Sequence, residues 1–340
     1  MSLIRFILRR LLTIIPTLFV ILVITFIMTR MLPGDPAMLR MAPRATYEDY
    51  LREVARLGLD QPIYVQFLVF LGDIFSGNWG NSYIVGRDYP IWLLINKKLS
   101  MSLEIMVISM VIAIILGFKL GKVSAANQNT KRDNLAKIFT YIFVSIPAFV
   151  IITYFMQLYV ATPLRILPIF GYKTAGYPEP PQITFSHIIN CILSGNIYLL
   201  FDYLWHLIIP VSALTIVQLV RISRQMRASM ISTLEEDYIR TAYAKGVKRR
   251  YVIKKHALKN SVAPVIVVSG MGFSAVLGGM IAVEVVYQLP GMGKFFYDAI
   301  LGSDYNVIIA SVWTFSIIVI IFNFFSDVII AALDPRIKLK

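Results

Sequence analysis

Residues 11–29 read LLTIIPTLFVILVITFIMT, a run without a single charged side chain. A helix that crosses a bilayer needs about 20 mostly apolar residues, and this run supplies them. Five more follow: 100–118, whose one charge is Glu104; 138–164, interrupted by Pro147; 203–220; 260–283; and 305–326. So many such runs are foreign to soluble folds. The expected fold class is therefore an all-α polytopic membrane protein with six transmembrane helices.

The rest of the composition agrees. Of 340 residues, 57% are hydrophobic and 15% charged, against about 45–50% and about 25% in ordinary soluble domains. Mean hydropathy is +0.70. That excludes a disordered chain, which needs low hydrophobicity. The single cysteine, Cys191, excludes a disulfide scaffold. A seventh uncharged run, 183–201, contains His187, Asn190, Ser194, Gly195 and Asn196. These weaken it as a lipid-facing helix, and it reads as an interfacial or re-entrant piece. The first run does not read as a cleaved signal peptide, being longer than the usual 7–15 apolar residues and followed by no small-residue cleavage site.

The formal net charge is +14, which taken alone suggests nucleic acid. Its distribution says otherwise. With six spans, one side of the membrane holds 22 of the 33 Lys and Arg: Arg5, Arg9 and Arg10, five at 119–137, eleven at 221–259, and Arg336, Lys338 and Lys340. The short segments of the other side hold three: Arg165, Lys173 and Lys294. By the positive-inside rule both termini are cytoplasmic, and no nucleic-acid partner is expected. The chain then divides into an N-terminal segment with helix 1 (1–30), an extracytoplasmic loop subdomain (31–99), a transmembrane core (100–333) and a cytoplasmic tail (334–340). The core helices fall at about 100–121, 136–164, 203–220, 260–283 and 305–330.

Two loops exceed the usual connection of about 4–6 residues. The external one carries helix formers at 46–57. An apolar stripe follows at Ile63, Phe67, Phe70, Leu71 and Ile74, and then Gly77, Gly80 and Gly86 break the pattern. It reads as a small subdomain on the membrane, or as a passive cap. In the cytoplasmic loop 221–259, Ser232 and Thr233 stand three residues before Glu235 and Glu236, the capping-box spacing. The acids Glu235, Glu236 and Asp237 suit the positive end of a helix dipole. Lys245 suits the other end, and Gly246 supplies a left-handed stop. A short helix of about three turns is therefore expected, with a second basic one after it. Tyr238, Ala242 and Gly246 share one face at i, i+4, i+8, with Arg240, Lys245 and the acids at its sides. With no hydrophobic face to bury in its own chain, this helix either docks on a partner or rests on lipid headgroups.

Chemistry is sparse. No G-x-x-x-x-G-K-[ST], H-E-x-x-H, cysteine pair or G-x-S-x-G occurs. The three histidines, His187, His206 and His256, lie in different segments. No catalytic residue, metal site or bound cofactor is expected, and the chain does not read as an enzyme. Glu104, Glu284 and Asp327 lie within apolar runs or at their ends, where each is expected to reach water.

The stretch 237–246, DYIRTAYAKG, followed by HALKN at 256–260, resembles the EAA loop of ATP-binding-cassette (ABC) importer permeases. Its variant is that of the dipeptide/oligopeptide family. Further segments resemble the same family: LPGDP at 32–36, LGLDQP at 57–62, VEVV at 283–286, LPGMG at 289–293 and LDPR at 333–336. The early PGDP and long first external loop resemble the B-type half of such systems. Tyr243 departs from the subfamily's common Arg, and Asn78-Trp79-Gly80 from a more usual Asp-Leu-Gly.

The resemblance implies a type I importer fold and a coupling helix at 235–245 docked on a separate ATPase. The coupling residues would be Glu235, Asp237, Tyr238, Arg240, Thr241, Ala242, Lys245 and Gly246. The implied partners are a homologous permease chain, one or two ABC ATPase subunits holding ATP and Mg2+, an extracytoplasmic solute-binding protein and membrane lipid. It implies peptide import across the cell membrane. A same-fold importer for nickel or oligosaccharides remains an alternative. So do an ATPase-independent channel or ion-coupled transporter, and a membrane-anchored adaptor.

Overall fold

The computed structural model describes residues 3–31, 35, 37–38, 41, 45–86, 88–161 and 167–333. The family-like segments at 32–34, 36 and 334–336, the position of Arg165 and the tail 334–340 lie outside them. Among the described residues there are twelve helices: α1 (Leu3–Met31), α2 (Tyr47–Arg56), α3 (Ile63–Ser76), α4 (Ile91–Ala126), α5 (Lys131–Ser145), α6 (Ala148–Ala161), α7 (His187–Leu193), α8 (Ile197–Leu234), α9 (Asp237–Ala244), α10 (Arg249–Val286), α11 (Met292–Gly302) and α12 (Tyr305–Leu333). The first nine residues of α10 include a π-helical turn at Val252–Ala257.

Five of these, α1, α4, α8, α10 and α12, are long and apolar enough to cross a bilayer. The expected third span is instead a bent pair: α5 and α6 meet at 96°, and they make a sixth span if counted as one. Pro147 explains the break. The residue before a proline is driven out of helical geometry, and Ile146 is extended, at φ −94°, ψ 124°. The run 183–201 is not a span. Ser186 caps α7 by accepting from the Ile189 N–H, and seven residues later the helix ends before Gly195, at φ +69°.

The expected core ends need correction. The helix placed at about 100–121 runs from Ile91 to Ala126, and that placed at 203–220 runs from Ile197 to Leu234. Uncharged runs report the hydrocarbon thickness, whereas helices continue through the headgroups into water with their charged turns intact. Residues 221–234 are consequently not loop.

The core lies where α4, α8 and α10 meet, around Met106, Met110, Leu214, Ile222, Met226 and Val276. Small residues let these helices approach closely, as membrane interfaces require. A Cβ on Gly121 of α4 would stand 2.5 Å from the Ser223 carbonyl oxygen of α8. Gly121→Val is expected to force the pair apart at a cost of about 1–3 kcal/mol, read as a lower unfolding midpoint in detergent. An unchanged midpoint would mean the pair is not packed this closely.

α12 runs antiparallel to α10, with Phe273 and Phe322 stacked at 4.2 Å. It also runs beside α1, where Arg10 pairs with Asp327 at 2.5 Å. The start of α1, the end of α12, α9 and the start of α10 therefore share one end of the bundle. The opposite end carries residues 45–86 and 88–90. There Thr46 and Asp49 form the capping box of α2. α3 lays Phe67 and Phe70 on Phe26 of α1 and buries Ile74 with Leu22 and Trp313. The glycine-rich turn after it is fastened by the buried Asp304, whose Oδ2 accepts from Ser82 Oγ (2.7 Å) and the N–H groups of Tyr83 (2.9 Å) and Ile84 (3.0 Å). This segment is built into the fold rather than laid over it.

Candidate coupling surface

At the terminus-bearing end, α8 projects to Leu234, and the chain turns at Glu235 and Glu236 into α9. The expected N-cap is overturned here. Ser232 and Thr233 lie inside α8, where Thr233 Oγ1 donates to the Ser229 carbonyl. The N-cap of α9 is Glu236, without a side-chain bond. A threonine that can satisfy its hydroxyl one turn back within a helix does not oblige the helix to begin after it. The end of α9 agrees with its sequence. Gly246, at φ +77°, donates to Tyr243 O, and the Val247 N–H reaches back to Ala242 O. These bonds satisfy the last carbonyls in the way a left-handed glycine permits.

A second expectation also fails: α9 does have an apolar face toward its own chain. Ile239 is fully buried in the cluster that includes Met230, Val252 and Ala257, and Ala242 and Val247 pack partly against it. The pattern is one deeply buried residue in an eight-residue helix, too short for apolar periodicity to register. Tyr238 is also tied inward, its hydroxyl accepting from Asn260 Nδ2 at 2.8 Å.

The remaining named residues are brought together on the outside. Glu235, Asp237, Arg240, Thr241, Lys245 and Gly246 are exposed, Tyr238 is 42% exposed, and Ala242 is half-buried. Asp237 and Arg240 pair at 3.4 Å, and Thr241 Oγ1 donates to the Asp237 carbonyl. α9 is thus a short rod pinned by Ile239 between the end of α8 and the π-helical turn of α10, with a polar outer face. Arg249, just beyond it, donates to the Ala126 carbonyl at the end of α4 (2.6 Å). α9 therefore packs on α8 and α10, and α10 is in turn tied to α4 through Arg249.

Beneath this surface lies a cluster the sequence reading passed over. Asp133 of α5 is fully buried. It accepts from Arg227 Nε (2.9 Å) and a second guanidinium nitrogen (3.0 Å), Ser124 Oγ (2.6 Å) and the Asn129 N–H (3.0 Å), and pairs with Lys137 (2.8 Å). One carboxylate therefore joins α4, α5 and α8. Its sequence signal was the spacing Thr130-x-x-Asp133, a helix-start pattern in a loop read only for charge.

The carboxylates in the apolar runs are also engaged. Glu284 does not reach water: it is fully buried, and accepts from Ser102 Oγ (2.5 Å) and the Lys294 N–H (3.0 Å). Glu104 accepts from Ser186 Oγ (2.5 Å), the Ile188 N–H (3.2 Å) and Tyr203 OH (2.6 Å). Nearby, burial pushes the His187 imidazole below its ordinary pKa, against the upward pull of Glu104 and Glu179. Among the described residues no group of three His, Cys, Asp or Glu is placed to hold a metal.

Comparison with protein families gives two matches. Residues 113–339 match the family described as binding-protein-dependent transport system inner membrane component. Residues 3–86 match the N-terminal region of such membrane components. A dipeptide transport system permease protein of Alkalihalophilus pseudofirmus is 35% identical, over 97% of this chain and 98% of its own length. An oligopeptide transport system permease protein of Bacillus subtilis is 32% identical over 98% and 99%. A glutathione transport system permease protein of Escherichia coli K12 is 33% identical over 99% of each.

Proposed function

This chain belongs to the binding-protein-dependent transport system inner membrane component family, and from that premise we infer that it is a multi-pass permease subunit of an ABC peptide importer. It forms part of the pathway and takes its energy from ATP hydrolysed, with Mg2+, on separate ATPase subunits. One observation carries the coupling assignment. α9 offers a polar outer face while its inner face is packed against two spanning helices, α8 and α10. The relatives that cover the whole chain are named for dipeptides, oligopeptides and glutathione, which supports a short peptide as cargo. An external binding protein delivers it, and a homologous permease chain completes the pathway. The excess of Lys and Arg on one side, 22 against three in the short segments of the other, supports placing the α9 end, with both termini, in the cytoplasm of a cell-membrane protein. Rocking of the helices between inward and outward openings is then driven from α9.

The test is uptake into proteoliposomes containing the complex. Labelled di- and oligopeptides are expected to accumulate only with ATP and the ATPase subunits present. Uptake by this chain without them would replace this reading with a channel or ion-coupled transporter, and accumulation of nickel or an oligosaccharide instead would replace the cargo.

A further inference from the structure

A cavity of about 480 Å3 opens between α5 and α8, lined by Lys137, Thr140 and Tyr141 from the first and Arg221, Arg224 and Arg227 from the second, among others. Its cations are unevenly matched. Lys137 and Arg227 share the one carboxylate of Asp133. Arg221 and Arg224 have no ion pair among the described residues, and no acid lines the cavity. Residues 221, 224, 225 and 228 lie on one side of α8, while 137, 140 and 141 lie on one side of α5, as helical spacing dictates. Four cations thus converge on a hollow with a single carboxylate behind it, a site prepared for an anion.

The level of the cavity identifies the anion. On α8 the uncharged run 203–220 ends at Arg221, and on α5 the uncharged run 138–164 begins just after Lys137. The cavity therefore lies where hydrocarbon gives way to headgroups. Immediately inward, α5 exposes Ile138 (54%) and Ile142 (53%) beside Tyr141 (56%). A basic hollow with an apolar track leading from it toward the bilayer centre fits a phospholipid. The phosphate sits among the arginines, Tyr141 lies at the interface where such rings are favoured, and an acyl chain covers the two isoleucines. Basic pockets between spanning helices are a recognised form of headgroup site.

We propose that this cavity binds the headgroup phosphate of an anionic phospholipid in the leaflet facing the terminus-bearing end. Because it bridges α5 and α8, the lipid braces the helix that leads directly into α9.

The experiment purifies the chain with its co-purifying subunits. The complex is placed in nanodiscs of phosphatidylcholine with a minority of phosphatidylglycerol, and the retained lipid is quantified by native mass spectrometry. A cation near the surface contributes about fivefold to anionic-lipid binding, so Arg221→Gln with Arg224→Gln is expected to lower the preference for phosphatidylglycerol roughly 30-fold. The paired control Lys131→Gln with Arg132→Gln removes two exposed charges from the same end of the bundle, outside the cavity, and is expected to leave the preference unchanged. Equal losses in both pairs would reduce the effect to general surface attraction and overturn the site, as would no loss in the arginine pair. If the arginine pair fails to assemble, the wild-type complex decides. Retention of phosphatidylglycerol no better than phosphatidylcholine overturns the proposal. So does its displacement by millimolar inorganic phosphate or by substrate peptide, which would make the hollow a soluble-anion site.

Discussion

Asp133→Ala is expected to lower the stability of the folded chain by about 3–5 kcal/mol, the usual cost of removing one partner from a buried charge pair. The reason is geometric. Arg227 loses two charge-assisted hydrogen bonds and Lys137 loses its ion pair, so two cations are left facing each other beside two further arginines. The turn joining α4 to α5 is released as well, because Ser124 and Asn129 both donate to the same carboxylate. The readout is the unfolding midpoint and the monodisperse fraction in detergent. Asp133→Asn is expected to be milder, since it keeps the shape and some of the hydrogen bonds. Adding Arg227→Met to Asp133→Ala is expected to recover part of the loss, since a buried cation without a partner is then removed. A midpoint within experimental scatter of wild type for Asp133→Ala would show that water or the remaining polar groups replace the carboxylate.

The uneven legibility of this fold has a physical basis. Spanning helices announce themselves because the bilayer demands a long uncharged run, and the runs at 11–29, 260–283 and 305–326 each fell inside a helix of the structure. Helix ends were misjudged because nothing in an uncharged run reports how far the helix continues past the headgroups, as the start of α4 at Ile91 and the end of α8 at Leu234 illustrate. Pro147 was visible as an interruption, but the 96° bend it permits depends on what α5 and α6 pack against. The short helix of the cytoplasmic loop was readable because its information is local, with acids at one end and Gly246 at the other. Its inward anchor was not, because Ile239 is buried by residues on α8 and α10 rather than by a periodic stripe. The same holds for the links from Ser102 to Glu284 and from Asp133 to Arg227. Each joins residues far apart in the chain, and pattern reading sees only neighbours.

The anchoring of α9 also determines which substitution tests the coupling assignment. Bulk at Gly246, as in Gly246→Trp, is expected to disrupt coupling, but Gly246 sits at φ +77°. Any side chain there adds backbone strain of about 1–2 kcal/mol, which mixes local unfolding with loss of docking. Ala242 is half-buried against the core, and its enlargement has the same fault. The exposed residues separate the two effects. Arg240 and Thr241 point outward from a helix whose inner side is held by Ile239. Thr241→Trp with Arg240→Glu is therefore expected to change the unfolding midpoint little, since surface substitutions stay within about 0.5 kcal/mol. The same variant places bulk and reversed charge at the centre of the proposed docking face, where a hot-spot residue is worth about 2 kcal/mol or more. Peptide-stimulated ATP hydrolysis and uptake are then expected to fall roughly 10- to 100-fold, with ATPase subunits lost from the complex on gel filtration. Ile239→Ala supplies the complementary case: the outer face is intact but its anchor is cut. If the ATPases remain bound while uptake falls, the anchor rather than the face transmits the movement to α8 and α10. Normal uptake and stimulated hydrolysis in the Thr241→Trp, Arg240→Glu variant would remove α9 from the coupling pathway altogether.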